Sequence, residues 1–169
     1  PFIFLKIGKR VEKVSEIAST PGTPKSDFHM MDPQGNEVFW ISHKKGRKAD
    51  DFQQYGGMVE IKDQAEVEQF VQALKANLEK DHGDATKFPM KTGYYRPVKS
   101  RAVQMKTLFG KDYKAGKASG RQNIDVLYQG PMKLKKLPTP GSTPTYMIQS
   151  NHTMFHSQVP RGDYQCYYY

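Results

Sequence analysis

Cysteine is nearly absent from this sequence: among 169 residues there is one, Cys166. A single cysteine forms no disulfide within the chain, so the fold must depend on a buried apolar core. No apolar run approaches the roughly 20 residues of a membrane-spanning helix, and residues 1–30 show no secretory signal pattern. The glycines at 110, 116 and 120 lack the spacing of a phosphate-binding loop or a dinucleotide fingerprint. We therefore expect no membrane partner and no nucleotide-binding fold.

Acidic residues are scarce in one part of the chain. Residues 1–84 contain 12 Lys and Arg against 14 Asp and Glu, whereas residues 85–140 contain 13 against 2. The whole chain has a net charge of +9. This excess of positive charge favours an anionic binding partner, and nucleic acid is the first candidate. The alternative is that the charges only keep the surface soluble.

The predicted nucleic-acid contacts come from the basic residues of this segment, with tyrosines between them. Contacts of this type go mainly to phosphates, and aromatic rings add stacking on bases. The interleaved tyrosines are Tyr94, Tyr95 and Tyr113. The predicted contact residues are Lys99, Arg101, Lys106, Lys111, Lys114, Lys117 and Arg121.

Residues 24–57 organise the rest of the chain. Residues 27–32 and 37–43 are short, aromatic and β-branched, and residues 32–36 between them are typical of a tight turn. The sequence therefore predicts an antiparallel hairpin. Asp27 opens its first strand and Lys44 closes the second, so pairing brings both to one sheet edge. An acid and a lysine at one edge suit a divalent metal and a phosphate.

The segment 24–27, a hairpin, and the run Ile41 to Lys44 together resemble the core of the PD-(D/E)XK nuclease superfamily, which has the restriction-endonuclease-like fold. Asp27 matches the aspartate of that motif and Lys44 its lysine, while Ser42 occupies the place of the usual second acid. The resemblance covers about residues 4–62. The chain also resembles proteins of tailed bacteriophages, which implies no activity by itself. Cytoplasm of a host bacterium, or association with a virion, is the expected location.

The resemblance implies a Mg²⁺-dependent phosphodiesterase acting on DNA rather than RNA. Asp27 and Glu16 are then expected as metal ligands, with Glu12 as the alternative to Glu16. Lys44 is expected to orient water or stabilise charge on the phosphate. Gln53 is expected to complete the site, with Gln54 as its alternative. The rival class is a non-catalytic nucleic-acid-binding or virion structural protein that keeps this fold.

A second acid-X-Lys triplet, Glu60-X-Lys62, lies on a predicted strand over 58–62 and is the main rival within the same family interpretation. We rank it lower because Asp27 suits the hairpin to Lys44 better. Two histidines, His152 and His156, do not make a zinc site without further ligands.

The remaining segments predict a single domain over residues 1–169 with an α/β (α+β) fold. A mixed central β-sheet is flanked by helices over residues 2–19 and from residue 63 onward, with a short helix over 49–55. Residues 1–84 form the nuclease-like core. Residues 85–169 form a basic, mostly antiparallel β-rich extension, with strands near 123–129, 132–137 and 145–149 and a final pair at 152–158 and 164–169. The Tyr-rich end suggests a homo-oligomer or larger assembly, and we expect one or both ends to have been shortened.

Overall fold

The computed structural model describes residues 1–47, 53–56, 65–83, 96–156 and 165–168. Strands predominate in these residues, with two helices. The elements in chain order are β1 (Ile3–Ile7), β2 (Arg10–Val14), β3 (Glu16–Ser19), β4 (Phe28–Met31), β5 (Glu37–Lys44), β6 (Gln53–Gly56), α1 (Ala65–His82), β7 (Arg96–Pro97), α2 (Arg101–Phe109), β8 (Val126–Gln129), β9 (Lys133–Leu137), β10 (Thr145–Gln149), β11 (His152–Phe155) and β12 (Gln165–Tyr168).

The described strands form three sheets, each containing one parallel pair. A four-stranded sheet has the order β2-β1-β10-β9, a five-stranded sheet β11-β8-β5-β4-β3, and a three-stranded sheet β6-β12-β7. The parallel pairs are β1 with β10, β5 with β8 and β6 with β12. Each joins a strand before residue 84 to one after it, so both parts of the chain contribute to every sheet. The fold is mixed α+β and mostly β.

The central hairpin is confirmed. β4 and β5 pair antiparallel, with a bulge that places Phe39 between the pairs His29–Trp40 and Met30–Val38. The turn closes through hydrogen bonds from Asp32 N to Asn36 O at 2.9 Å and from Gly35 N to Asp32 O at 3.0 Å. This turn sets the register that carries Asp27 back beside the end of β5.

The predicted helix over residues 2–19 is wrong, because β1, β2 and β3 occupy that stretch. Leu5 and Ile7 alternate inward, which is a strand period that competes with the helical spacing of the same apolar residues. A turn at Gly8, with φ 61°, separates β1 from β2. The predicted helix over 49–55 is also wrong in its described part, where residues 53–56 form β6.

Two core clusters lie on the two faces of the five-stranded sheet. Alternation along β5 sends Trp40 to one face and Ile41 to the other. The helix-side core consists of Trp40, Phe70, Val98, Met105, Leu108, Phe109, Ile124, Leu127 and Met154. The inter-sheet core consists of Leu5, Ile7, Val14, Met30, Phe39, Ile41, Val126, Tyr128 and Ile148. The four-stranded sheet thus covers the face opposite α1 and α2, and a sheet flanked by helices is not confirmed.

The C-terminal strands lie close to their predicted positions but pair differently. β8, β9 and β10 match the predicted segments. The expected pairing of the last two strands is wrong: β11 pairs with β8, and β12 pairs with β6 and β7. A mostly antiparallel C-terminal half is not confirmed, because β8 and β10 each have a parallel partner. None of the described helices combines the length and apolarity needed to cross a bilayer.

Candidate functional site

Asp27 is fixed to the carboxyl end of β5 by main-chain and side-chain hydrogen bonds. Its amide N donates to Ile41 O at 2.8 Å. Its carboxylate Oδ2 accepts from Ser42 Oγ at 3.1 Å and from the His43 amide N at 2.6 Å. The hairpin therefore holds an exposed carboxylate directly against the first two residues of the Ser42-His43-Lys44 run.

Lys44 lies on the same face of β5 as Ser42, because residues two apart in a strand point to the same side. That face carries Trp40 and the helix-side core. The Lys44 side chain is half-buried and has no carboxylate partner among the described residues. Asp27 and Lys44 thus lie at the same end of the hairpin, and Asp27 contacts Ser42, two residues before Lys44. This end of the hairpin is here called the sheet edge.

Buried polar side chains next to Asp27 form hydrogen bonds that hold the start of β4 against β5. The Ser26 hydroxyl lies 2.9 Å from Phe28 O and 3.3 Å from Ile41 O. Thr20 Oγ1 lies 3.2 Å from Ser26 Oγ and 3.1 Å from His29 Nδ1. Sequence reasoning missed this support, since serine and threonine at these positions have no distinctive spacing.

The start of the β8–β9 loop is hydrogen-bonded to the same end of β5. Gly130 N donates to Lys44 O at 2.9 Å, and His43 Nε2 donates to Gly130 O at 2.7 Å. The register pairs His43 with Tyr128, and burial raises the pKa of the Tyr128 phenol well above its usual value. Tyr128 therefore stays protonated and is a structural neighbour of the edge rather than a base.

The two acids expected as a second metal ligand lie elsewhere. Glu16 pairs with Met31, at the far end of β4 from Asp27, which is about 13 Å along the strand. Glu12 belongs to the other sheet and pairs with Arg10 at 3.2 Å. In the described ranges no group of three or more His, Cys, Asp or Glu side chains is placed to hold a metal ion. The structure places Asp27 against Ser42 and His43, next to Lys44 in the chain, and places Glu16 elsewhere.

Several predicted residues fall outside what the structure describes. Glu60 and Lys62, the rival triplet, lie among undescribed residues, as do Tyr94 and Tyr95. Gln53 and its alternative Gln54 belong to β6, in the three-stranded sheet. Their backbone position is described and their side chains are not.

The predicted basic contacts lie around α2 and in the loop that follows it. Lys99 precedes α2, Arg101 and Lys106 lie on it, and all three are exposed. The loop over residues 110–123, here named the basic loop, exposes Lys111, Lys114, Lys117 and Arg121.

The basic loop borders the Asp27 segment. Ser26 N donates to Arg121 O at 3.0 Å, and Lys25 N donates to Gln122 Oε1 at 3.1 Å. The predicted contact loop is therefore attached to the residues that immediately precede the predicted acid.

Asp125 fastens the base of this loop to both large sheets. Its carboxylate accepts from Trp40 N at 2.7 Å and from Arg10 Nη1 at 2.6 Å, and Ser119 Oγ of the basic loop also donates to it. The base of the loop is thus bonded to the rest of the fold.

Tyr113 packs against the fold instead of projecting fully into solvent. Its ring centroid lies 4.7 Å from that of His156 and 5.8 Å from that of Phe109, and its hydroxyl donates to His156 O at 3.2 Å. This packing against the helix-side core leaves the ring only half-exposed. The alternation of Tyr113 with lysines in the sequence does not reveal this contact.

Comparison with known proteins yields one weak similarity. The chain is 29% identical over 107 residues to the type II restriction enzyme CviJI of Paramecium bursaria Chlorella virus IL3A. The match covers 63% of this chain and 29% of the relative, so the chain spans less than a third of that protein's length. No family model and no solved structure matches the chain. The resemblance to the PD-(D/E)XK superfamily and to tailed-phage proteins remains a prediction.

Proposed function

We propose that this protein is a DNA nuclease that cuts at the sheet edge formed by Asp27 and Lys44. The observation that carries the proposal is the contact of Asp27 with Ser42 and His43, in a chain similar to a type II restriction enzyme. Enzymes of that class cut DNA. Fold likeness alone conveys no activity, so the proposal rests on the side chains at this edge.

Each residue has a distinct role in this proposal. Ser42 and the His43 amide hold the Asp27 carboxylate in one orientation through Oδ2. Lys44 provides an ammonium on the same face, where it stabilises negative charge that develops on a phosphate or orients the attacking water. Preorganised groups of this kind need little rearrangement during the reaction.

Asp27 is the carboxylate that this edge offers to Mg²⁺. The residue is exposed, and its Oδ1 accepts no hydrogen bond from a described residue. Mg²⁺ in nucleic-acid enzymes is commonly held by one or two carboxylates, with phosphate oxygens and water completing its shell. Asp27 would hold it, and when bound it would polarise the phosphate and lower the pKa of a coordinated water.

The basic loop is the proposed contact for the DNA backbone at this edge. It carries four exposed cations and is hydrogen-bonded to Lys25 and Ser26 beside Asp27. Phosphate contacts position a duplex without selecting sequence, so this loop contributes affinity rather than specificity.

The alternative is a nucleic-acid-binding or virion structural protein that keeps the fold without cutting. One observation favours it: the described residues contain no group of three or more metal-binding side chains, and Ser42, which bonds Asp27, stands where the resembled family has its second acid. Binding by the basic loop would then remain and cleavage would be absent.

Incubation with supercoiled plasmid and with single-stranded DNA, in Mg²⁺ and in EDTA, separates these functions. The proposal predicts cleavage in Mg²⁺ only, abolished by Asp27→Ala and by Lys44→Ala with folding retained. DNA that stays intact under every divalent metal, yet is bound, supports the alternative. Loss of cleavage through Glu60→Ala and Lys62→Ala, with Asp27→Ala active, would move the site to the rival triplet.

A further inference from the structure

The outward face of the four-stranded sheet carries four exposed lysines. In an antiparallel or parallel pair, residues in register point to the same side. Leu5, Ile7, Val14 and Ile148 point into the inter-sheet core, so the alternate residues of these strands point outward. The outward lysines are Lys6, Lys13, Lys133 and Lys135, and all are exposed.

These lysines lie in three adjacent rows across the sheet. The middle row runs Val11–Lys6–Met147–Lys135, and the row on one side of it runs Lys13–Phe4–Thr145–Leu137. Lys133 lies in the row on the other side, where it pairs with Gln149. Strands are spaced by about 4.8 Å, so Lys6 and Lys135 are about 10 Å apart and the face is about 14 Å wide. Charges are thus distributed over the whole width of the face.

Within the four strands of this sheet, all of which the structure describes, no acidic residue points to this face. Glu12 is the single acid in these four strands. It pairs in register with Leu5, which points inward, and it bonds Arg10. In the described part of the chain none of the four lysines forms an ion pair, and Lys13 Nζ lies 5.0 Å from the centre of the Phe2 ring.

Protection of sheet edges explains only part of this pattern. Lysines on edge strands prevent unwanted pairing with other chains, which accounts for Lys13 on β2 and for Lys133 and Lys135 on β9. Lys6 lies on β1, an interior strand with partners on both sides. Its exposed charge therefore needs another explanation.

We propose that this lysine face is a second binding surface for the phosphate backbone of DNA, separate from the basic loop. The choice of DNA as the polyanion rests on the proposed function, while the surface itself rests on the charges. The face belongs to the sheet opposite α1 and α2, whereas Ser42 and Lys44 lie on the helix side. It therefore holds a different DNA segment from the one at the Asp27 edge.

A salt titration of duplex binding tests this surface. Binding of a short labelled duplex is measured by fluorescence anisotropy in EDTA, with Asp27→Ala in every protein so that no cleavage occurs. The test variant is Lys6→Gln with Lys135→Gln. The matched control is Lys75→Gln with Lys80→Gln, two exposed lysines of α1. Circular dichroism confirms that each variant is folded.

Each lost phosphate contact reduces the steepness of the log–log salt dependence by about 0.9. The test variant is expected to show a slope shallower by up to about 1.8, which is a loss of up to about 60-fold in affinity at 0.1 M salt. The control is expected to bind like the parent.

Equal binding and equal slopes in the test variant and the control would overturn the inference. The result is independent of catalysis, because the proteins compared do not cut. If the protein with Asp27 intact cuts DNA in a separate Mg²⁺ assay while the test variant binds normally, the proposed function is retained and this surface is rejected. If the protein with Asp27 intact never cuts and the test variant loses binding, this surface is retained and the proposed function is rejected.

Discussion

Asp27 and Ser42 are joined by a hydrogen bond in which the serine hydroxyl donates to the carboxylate at 3.1 Å. Ser42 is buried and Asp27 is exposed, so the bond holds the carboxylate at the surface in a fixed orientation. A second carboxylate at position 42 would instead face Asp27 as a like charge. The serine thus avoids a repulsion beside Asp27.

Ser42→Asp is therefore expected to make stability depend on metal. Two adjacent carboxylates repel, so without metal the free energy of unfolding should fall by about 1–3 kcal/mol, or several degrees in Tm. Mg²⁺ binds the folded pair and should restore much of this loss. Ser15→Asp, an exposed serine, is the control and should not respond to Mg²⁺. A Tm of Ser42→Asp that is equal in EDTA and Mg²⁺ would argue against a cation site here.

Gly110 is expected to be essential to the base of the basic loop. Its φ is 119°, and an added Cβ would lie within 2.1 Å of Gln122 O. Gly110→Ala should lower the free energy of unfolding by at least about 2 kcal/mol, because main chain has to move. At Gly116, φ is 76° with open space, and Gly116→Ala should cost about 1 kcal/mol. Denaturant titration of the two variants compares them, and equal losses would contradict this geometry.

The basic loop itself should contribute sequence-independent affinity. Replacing Lys111, Lys114 and Lys117 together by Ala should weaken binding to all duplexes alike and make the salt slope shallower by up to about 2–3. The fold should survive, since all three side chains are exposed. Affinity unchanged by the triple substitution, relative to Lys75→Ala with Lys80→Ala, would exclude this loop as the contact.

His156 should make stability fall in mild acid. Burial lowers the pKa of its imidazole below the ordinary value, and the charge of Asp125 opposes this only in part. Because the folded pKa is depressed, the stabilisation is present above the unfolded pKa of about 6.5 and is lost as pH falls through the folded value. His156→Gln retains a donor toward Asn123 and should show a smaller loss of Tm between pH 7.5 and 5. An equal loss of Tm in the parent and in His156→Gln over this pH range would contradict this.

The hairpin could be predicted because its signals are local. Asp32 accepts side-chain and main-chain hydrogen bonds from Asn36, which lower the pKa of its carboxyl, so the turn is specified by neighbouring residues. The N-terminal strands could not be predicted so directly. Val14 and Ile7 satisfy a helical spacing as well as a strand period, and the choice is made by β10, which pairs with β1 from more than 130 residues away.

The parts of the candidate site that depend on local sequence were also predictable, and those that depend on distant residues were not. Asp27 and Lys44 follow from the turn, whereas Glu16 was chosen by its place on a helix that the structure does not contain. The bond from Ser26 to Arg121 joins residues far apart in sequence, and no spacing rule connects them. No spacing rule predicts the contacts of Asp125 either, because it accepts hydrogen bonds from two sheets and from the basic loop.

The rate of Mg²⁺-dependent plasmid cleavage by Asp27→Asn, compared with Glu16→Gln, tests the central claim most directly. Both changes remove one carboxylate charge from an exposed residue of the same sheet region. We predict that Asp27→Asn lowers the rate by at least about 100-fold, while Glu16→Gln stays within about threefold of the parent because it lies about 13 Å along β4 from Asp27. Parental cleavage by Asp27→Asn, with or without loss in Glu16→Gln, would contradict the assignment of this edge as the cutting site.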